Sequence, residues 1–277
     1  MDKFHASEND ARTYRTYQES IQEVVVMNVF LFGRDNIGWS IDYDREYTKI
    51  FLTNIGYYTV TSNFITADIV HSVWWSQLLS YRVYPLRWKK IIAVATNEID
   101  INDPKFQNAK RFVNLWIAPS KTMYNTLKLA SVDVKYQPFY VDEKTFYKVN
   151  KSKEEIAQEL GINYELFRDK LVIGSFQRDS LGADLSKPKW QKGPELLVSI
   201  LSNLPKNKFI LLLAGPRRHW IINQCRKLDI PYIYYGREPD GLEDDIKFNT
   251  LDKQTMNKLY NLTNLYIVSS KSEGGPK

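Results

Sequence analysis

KLVIGSFQRDSLGADLSKPKWQKGPELLVSILSNLPKNKFILLLAG (170–215) decides the fold. It opens on a short apolar run, KLVIGSF (170–176), and closes on another, KFILLLAG (208–215). Apolar runs of this length, bounded by polar or Gly-containing segments, read as buried strands. Between them lies KGPELLVSILSNL (192–204), where Leu197, Ile200, Leu201 and Leu204 recur at helical spacing as one apolar stripe. A strand, a helix and a strand in that order predict two parallel strands with a helix packed across them.

The alternation continues toward the C-terminus. RRHWIINQCRKLDI (217–230) reads as a helix, PYIYYG (231–236) as a strand and DIKFNT (245–250) as a short strand. KQTMNKLYNLT (253–263) follows as a helix and LYIVSS (265–270) as a strand. On the N-terminal side, residues 143–169 are polar, charged and helical, and read as an inter-domain segment. Before them a second alternation runs back to residue 23. Its strands are EVVVMNVFLFG (23–33), YYTVTS (57–62), ADIVHSV (67–73), KIIAVATNE (90–98), LWIAPS (115–120) and VDVKYQPFYVD (132–142). Its helices are IDYDREYTKIFLTNIG (41–56), FQNAKRFVN (106–114) and KTMYNTLKLA (121–130), the last capped by Ser120. WWSQLLSYRVYPLRW (74–88) is a mostly helical connector, and residues 1–20 show no clear period. The expectation is an α/β chain of two doubly wound, Rossmann-like domains facing a cleft, over 1–145 and 146–277. Ligands of such sheets sit beyond the carboxyl ends of the strands.

The chain has 277 residues, room for two ordinary domains. At 43% hydrophobic and 25% charged residues the composition is globular, which excludes a disordered chain, a collagen and a coiled coil. No apolar run is long enough for a membrane span. The first twenty residues are polar throughout and do not read as a secretory signal. The single cysteine, Cys225, cannot form an internal disulfide, so the expected location is cytoplasmic. The net charge of +6 suits an anionic partner. It is spread along the chain without a Lys/Arg block, which favours a few phosphate contacts and not a nucleic-acid arm. The 14% aromatic content fits sugar or base planes, or simply a Tyr-rich core and surface.

Two loops carry the chemistry. SFQRDSLGADLSKPKWQKG (175–193) leaves a strand, presents Arg178, and delivers Lys192-Gly193 to the start of a helix. A helix N-terminus offers unpaired N–H groups and the positive end of its dipole, which favour phosphate. An Arg forks onto two phosphate oxygens and a Lys adds a point charge. LYIVSSKSEGGPK (265–277) ends a strand and then presents Glu273 beside Gly274 and Gly275. A carboxylate accepts hydrogen bonds from sugar hydroxyls, while glycine N–H groups donate. The same stretch is also ordinary turn chemistry. Neither a GxGxxG nor a GxxxxGK[ST] fingerprint is present.

Taken together, Arg178, Lys192-Gly193 with PELLVSIL, FILLLAG and LYNLTNLYIVSSKSEGGP resemble the second domain of retaining GT-B glycosyltransferases that use nucleotide-sugar donors, and more narrowly glycosyltransferase family 4. The match covers roughly 170–277. Residues 23–142 agree more loosely, through FLFGRDNIGWSID, ADIVHSVWW, LWIAPSK and YQPFYVDEKTF. The resemblance implies a GT-B-like fold and the transfer of a sugar from a nucleotide-sugar donor, with retention, to a glycan or lipid-linked acceptor. It implies no metal and no other cofactor. Arg178 and Lys192 would bind the donor diphosphate, and Glu273 the donor sugar. Gly193, Gly274 and Gly275 would line the donor, and Gly33, Asn36 and Gly38 would face its phosphates from the first domain. Arg217 and Arg218 suit a further phosphate contact, or only decorate a helix start. The family's second glutamate falls beyond Lys277, so the second domain is expected to be shortened, either as a piece or as a short gene product.

Several readings stay open. His71 and Glu98 face the acceptor, or are structural. Asp42-Tyr43-Asp44 has the spacing of a metal-binding DxD, but stands at a helix start, where acids complement the dipole. Trp74–Lys90 mixes Trp and Tyr with Arg and Lys, which suits a peripheral membrane contact, or else packs its aromatics on the sheet. Rival functions are a sugar-nucleotide epimerase and a non-catalytic sugar- or nucleotide-binding relative. A dehydrogenase is disfavoured by the missing GxGxxG.

Overall fold

A computed structural model of the chain describes residues 26–273, apart from 37, 39, 81–87 and 240. The chain divides into two compact units, one ending at Tyr140 and the other running Val141–Glu273.

The first unit is a six-stranded parallel sheet. Its strands are β1 (Met27–Phe32), β2 (Tyr58–Thr61), β3 (Ile69–Ser72), β4 (Lys90–Val94), β5 (Leu115–Ala118) and β6 (Val134–Tyr136), in the order β2-β1-β3-β4-β5-β6. Helices α1 (Ser40–Ile55), α2 (Pro104–Lys110) and α3 (Lys121–Leu129) connect them. Asp103 caps α2 through Lys105 N, and Ser120 caps α3 through Met123 N, as its position before the apolar period predicts. The core joins Val70, Ile91, Ala93 and Trp116 on the strands to Phe106, Met123 and Leu127 on the helices. Trp75 and Leu78 are buried in it, so this part of the 74–90 connector packs on the sheet. Trp88 is 91% exposed, while Lys89 Nζ donates to the carbonyls of Ile65 and Ala67. Residues 81–87 of the same segment lie outside the described residues. No helix among the described residues is long and apolar enough to cross a membrane.

The second unit holds β7 (Leu171–Ser175), β8 (Phe209–Ala214), β9 (Tyr232–Tyr235) and β10 (Leu265–Tyr266), parallel and ordered β10-β7-β8-β9. All six residues of β8 are buried. Because successive side chains alternate faces, Phe209, Leu211 and Leu213 pack with α5 (Pro194–Ser202) and α6 (His219–Leu228). Ile210, Leu212 and Ala214 pack on the other face with α4 (Lys153–Glu159) and α8 (Lys253–Leu262). A strand covered on both sides reads as one continuous apolar run, which is what FILLLA is.

Four local expectations change. The polar stretch 143–169 is part of the second unit: α4 buries Ile156 and Ala157, and Phe167 beyond it is buried as well. A Ser152–Glu155 capping box starts that helix. Residues 245–250 form a short helix, α7 (Ile246–Asn249), whose Asn249 amide donates to the Asp245 carboxylate at 2.7 Å. The strand expected over 265–270 is confined to Leu265–Tyr266. On α5, Leu197, Val198 and Leu201 are buried, whereas Ile200 is exposed.

Candidate functional site

Each sheet has a point where the chain reverses its direction of growth. In the second unit β8 and β9 are laid down on one side of β7, and β10 returns to the other. The loops leaving β7 and β10 therefore stand at the switch point of the sheet, the place where such sheets bind ligands. Those are the two loops that carry Arg178 and Glu273.

Hydrogen bonds tie the β10 loop to the turn before α5. Ser269 Oγ donates to the Lys192 carbonyl at 2.9 Å, and Lys271 N to that of Gln191 at 2.9 Å. Ser270 Oγ donates to Gln177 Oε1 at 2.8 Å, which links the β10 loop to the β7 loop. Gly193 makes the close approach possible. Its φ is +56°, and a Cβ there would lie 2.2 Å from the Ser269 carbonyl oxygen. The result is an ion pair between Lys192 Nζ and Glu273 Oε1 at 2.5 Å, both side chains partly exposed. Arg178 is half-buried, three residues beyond β7. Gly274 and Gly275 lie outside the described residues.

Beneath this surface is a small cavity of about 10 Å³, enough for one water. Ser175, Gln177, Asp179, Lys192, Arg218 and Ser269 are among its lining. Arg218, 1% exposed, is no surface phosphate contact. Its Nε lies 3.1 Å from Asp179 Oδ2, and its Nη2 donates to Ser175 Oγ at 3.1 Å. Burial raises the Asp179 carboxyl against the pull of Arg218. Arg217, its neighbour, forks onto Asp244 at 2.6 and 3.2 Å, and its backbone N–H donates to Asp245 at 2.7 Å. That fork holds the Asp244 carboxyl below the usual carboxylate range.

Lys189 carries no motif signal, yet the fold brings it here. Its ammonium lies within electrostatic reach of Arg178, Lys192, Arg217 and Glu273. Burial, then repulsion from the three cations, pulls it down to about 8.

In the first unit the corresponding switch lies between β1 and β3. Gly33 sits there at φ +96°, where a Cβ would come within 3.0 Å of Trp74 N. Asp42 accepts from Asp35 N and Gly38 N at 3.0 Å each, so the first acid of the DxD shapes the Gly33–Gly38 loop. Asn36 in that loop has φ +59°. His71 lies on β3, paired in register with Leu31, and burial pushes its imidazole down to about 4. Glu98 is exposed on the loop after β4. Among the described residues no group of three or more His, Cys, Asp and Glu side chains is arranged to hold a metal ion.

Two helix-covered parallel sheets, with loops gathered at the switch point of each, define an α/β protein of the GT-B-like class. Solved structures agree on this fold. HepE of Anabaena, in complex with UDP and glucose, is 13% identical, with a TM-score of 0.59 over 88% of this chain and 74% of that one. A glycosyltransferase of Rickettsia africae is 14% identical, with a TM-score of 0.60 over 88% and 73%. No protein-family model matches the sequence, and no curated protein matches it.

Proposed function

We propose that the chain is a glycosyltransferase that moves a sugar from a nucleoside-diphosphate donor to a hydroxyl of a glycan or lipid acceptor, with retention and without a metal. One observation carries this reading. Lys192 and Glu273, 81 positions apart, meet at 2.5 Å on the loops leaving β7 and β10, at the switch point of the second sheet. A fold shared with a protein that binds UDP and glucose supports it.

In this reading Arg178 and Lys192 bind the diphosphate. Their charge counts most as the donor bond breaks, because the negative charge on the leaving phosphate grows in that step. Glu273 accepts from donor-sugar hydroxyls, and its pairing with Lys192 sets both groups in place before the donor arrives. The acceptor hydroxyl attacks from the face the diphosphate leaves. A thermal-shift titration with UDP, GDP, ADP and NAD tests the donor site. Stabilisation follows RT ln(1 + [L]/Kd), so sub-millimolar binding shows at millimolar ligand. A shift with a nucleoside diphosphate and none with NAD is expected, followed by sugar release from the matching nucleotide sugar. A flat response to all four would overturn the assignment.

A further inference from the structure

The loop from β7 to α5 is braced into a small hairpin. Ser180 and Pro188 form an antiparallel bridge, Leu181 N donates to the Lys187 carbonyl at 3.0 Å, and Lys189 N to that of Asp179. The hairpin is pinned to the start of α6 from both backbone and side chain. Asp179 N and Ser180 N donate to the Arg217 carbonyl at 3.3 and 3.2 Å. The buried Asp179 carboxylate accepts from Ile221 N at 3.1 Å and faces Arg218. Gly182 lies so close to the Arg217 guanidinium that a Cβ would stand 2.7 Å from Nη1. Lys189 leaves this hairpin and begins the turn that ends at Lys192, whose N–H donates to the Lys189 carbonyl at 2.9 Å.

We propose that Lys189 is a further donor-binding residue, forming with Arg178, Lys192 and Arg217 a four-cation cluster that takes the diphosphate of the donor. The inference rests on the donor reading above. Cations gathered around the braced loop and the start of α6 repel one another, although Lys192 and Arg217 also pair with Glu273 and Asp244, and a polyanion placed among them removes that repulsion. The ammonium of Lys189 feels each of the three other cations more than it feels the Glu273 carboxylate. Lys189 titrates near 8, so it is charged at neutral pH and loses its charge above that.

The test compares the wild-type chain with Lys189→Met and Lys189→Arg. Calorimetry uses the nucleoside diphosphate that wild type binds best among UDP, GDP and ADP, then its monophosphate and its nucleoside. Lys189→Met should weaken the diphosphate about 10- to 100-fold, the size of a lost charged hydrogen bond. The monophosphate should lose less and the nucleoside nothing, while Lys189→Arg keeps most of the affinity. The melting temperature without ligand should hold or rise, because repulsion is relieved. Wild-type affinity should fall as pH passes 8, and that part of the pH dependence should vanish in Lys189→Met. Unchanged diphosphate affinity in Lys189→Met would overturn the inference and leave the donor reading standing. So would an equal loss for the nucleoside with a lowered melting temperature, which marks a structural lysine. Wild type that binds no nucleoside diphosphate would overturn both.

Discussion

Lys192 and Glu273 show what a single pair can do in an open site. Their side chains are 22% and 35% exposed, so the ion pair itself contributes at most about 1 kcal/mol to stability. Its value to a transferase is positional. Lys192→Ala should therefore leave the urea midpoint nearly unchanged and reduce sugar transfer about 10²- to 10³-fold, roughly 3–4 kcal/mol of lost charge stabilisation. Turnover at the wild-type level would remove Lys192 from the chemistry. Residues of this kind differ in how far sequence exposes them. Lys192 is visible because Gly193 and a helix start follow it. Lys189 sits in SKPKWQK, among lysines that look alike until the hairpin selects one. Arg217 and Arg218 look alike in the sequence and are told apart only by the fold. Arg217 has a left-handed backbone, φ +62°, immediately before Arg218, the cap residue of α6, so the two side chains leave in different directions. The fold turns Arg218 inward onto Asp179 and leaves Arg217 on Asp244.

At the scale of elements, the junction between the α5 start and the β10 loop depends on a missing side chain. Gly193→Ala must place a Cβ 2.2 Å from the Ser269 carbonyl oxygen and hold a left-handed backbone. The backbone conformation alone costs about 1–2 kcal/mol, and the clash forces Ser269 away from Lys192. The urea midpoint should fall by at least that amount, and donor affinity should fall further because Glu273 moves with the loop. A variant with wild-type stability and affinity would show that the junction yields freely. Elements set by local chemistry were legible: Ser120 before KTMYNTLKLA marks α3, and the apolar run FILLLA marks β8. Elements set by distant contacts were not. DIKFNT alternates like a strand, yet Asn249 bonds to Asp245 one turn back and to the Arg237 carbonyl, and the segment closes as a helix. The charged stretch around Lys153–Glu159 reads as a spacer because only Ile156 and Ala157 mark its buried face.

Among the described residues the chain forms two parallel sheets with separate cores, and the strand–helix alternation that builds each sheet was legible in the sequence. Such a chain can lose one unit before the other, and acid offers a way to address the first. His71 on β3 is pushed down to about 4 by burial, from an ordinary value of 6.5. Between these values the unfolded chain binds a proton that the folded unit refuses. Stability is then lost as pH falls, because the unfolded state holds more protons. The contribution is complete above pH 6.5, declines from there to pH 4, and does not change below. A shift of this size corresponds to roughly 3 kcal/mol at most, and less to the extent that water reaches the partly exposed ring. Carboxylates held low in the second unit, such as Asp184, Asp244 and Asp252, act at more acid pH, below their ordinary 3.8. Glu155 and Glu159, held below their ordinary 4.5, begin to act only under that pH, so the two regimes are separable above pH 4.5. Urea titrations of wild type and His71→Gln at pH 7, 6, 5 and 4 should show the midpoint of the first transition dropping in wild type. In the variant, which has no imidazole to protonate, that decline should be largely absent. Parallel declines in the two proteins would mean that His71 reaches solvent in the folded unit, and the acid response would then belong to the carboxylates alone.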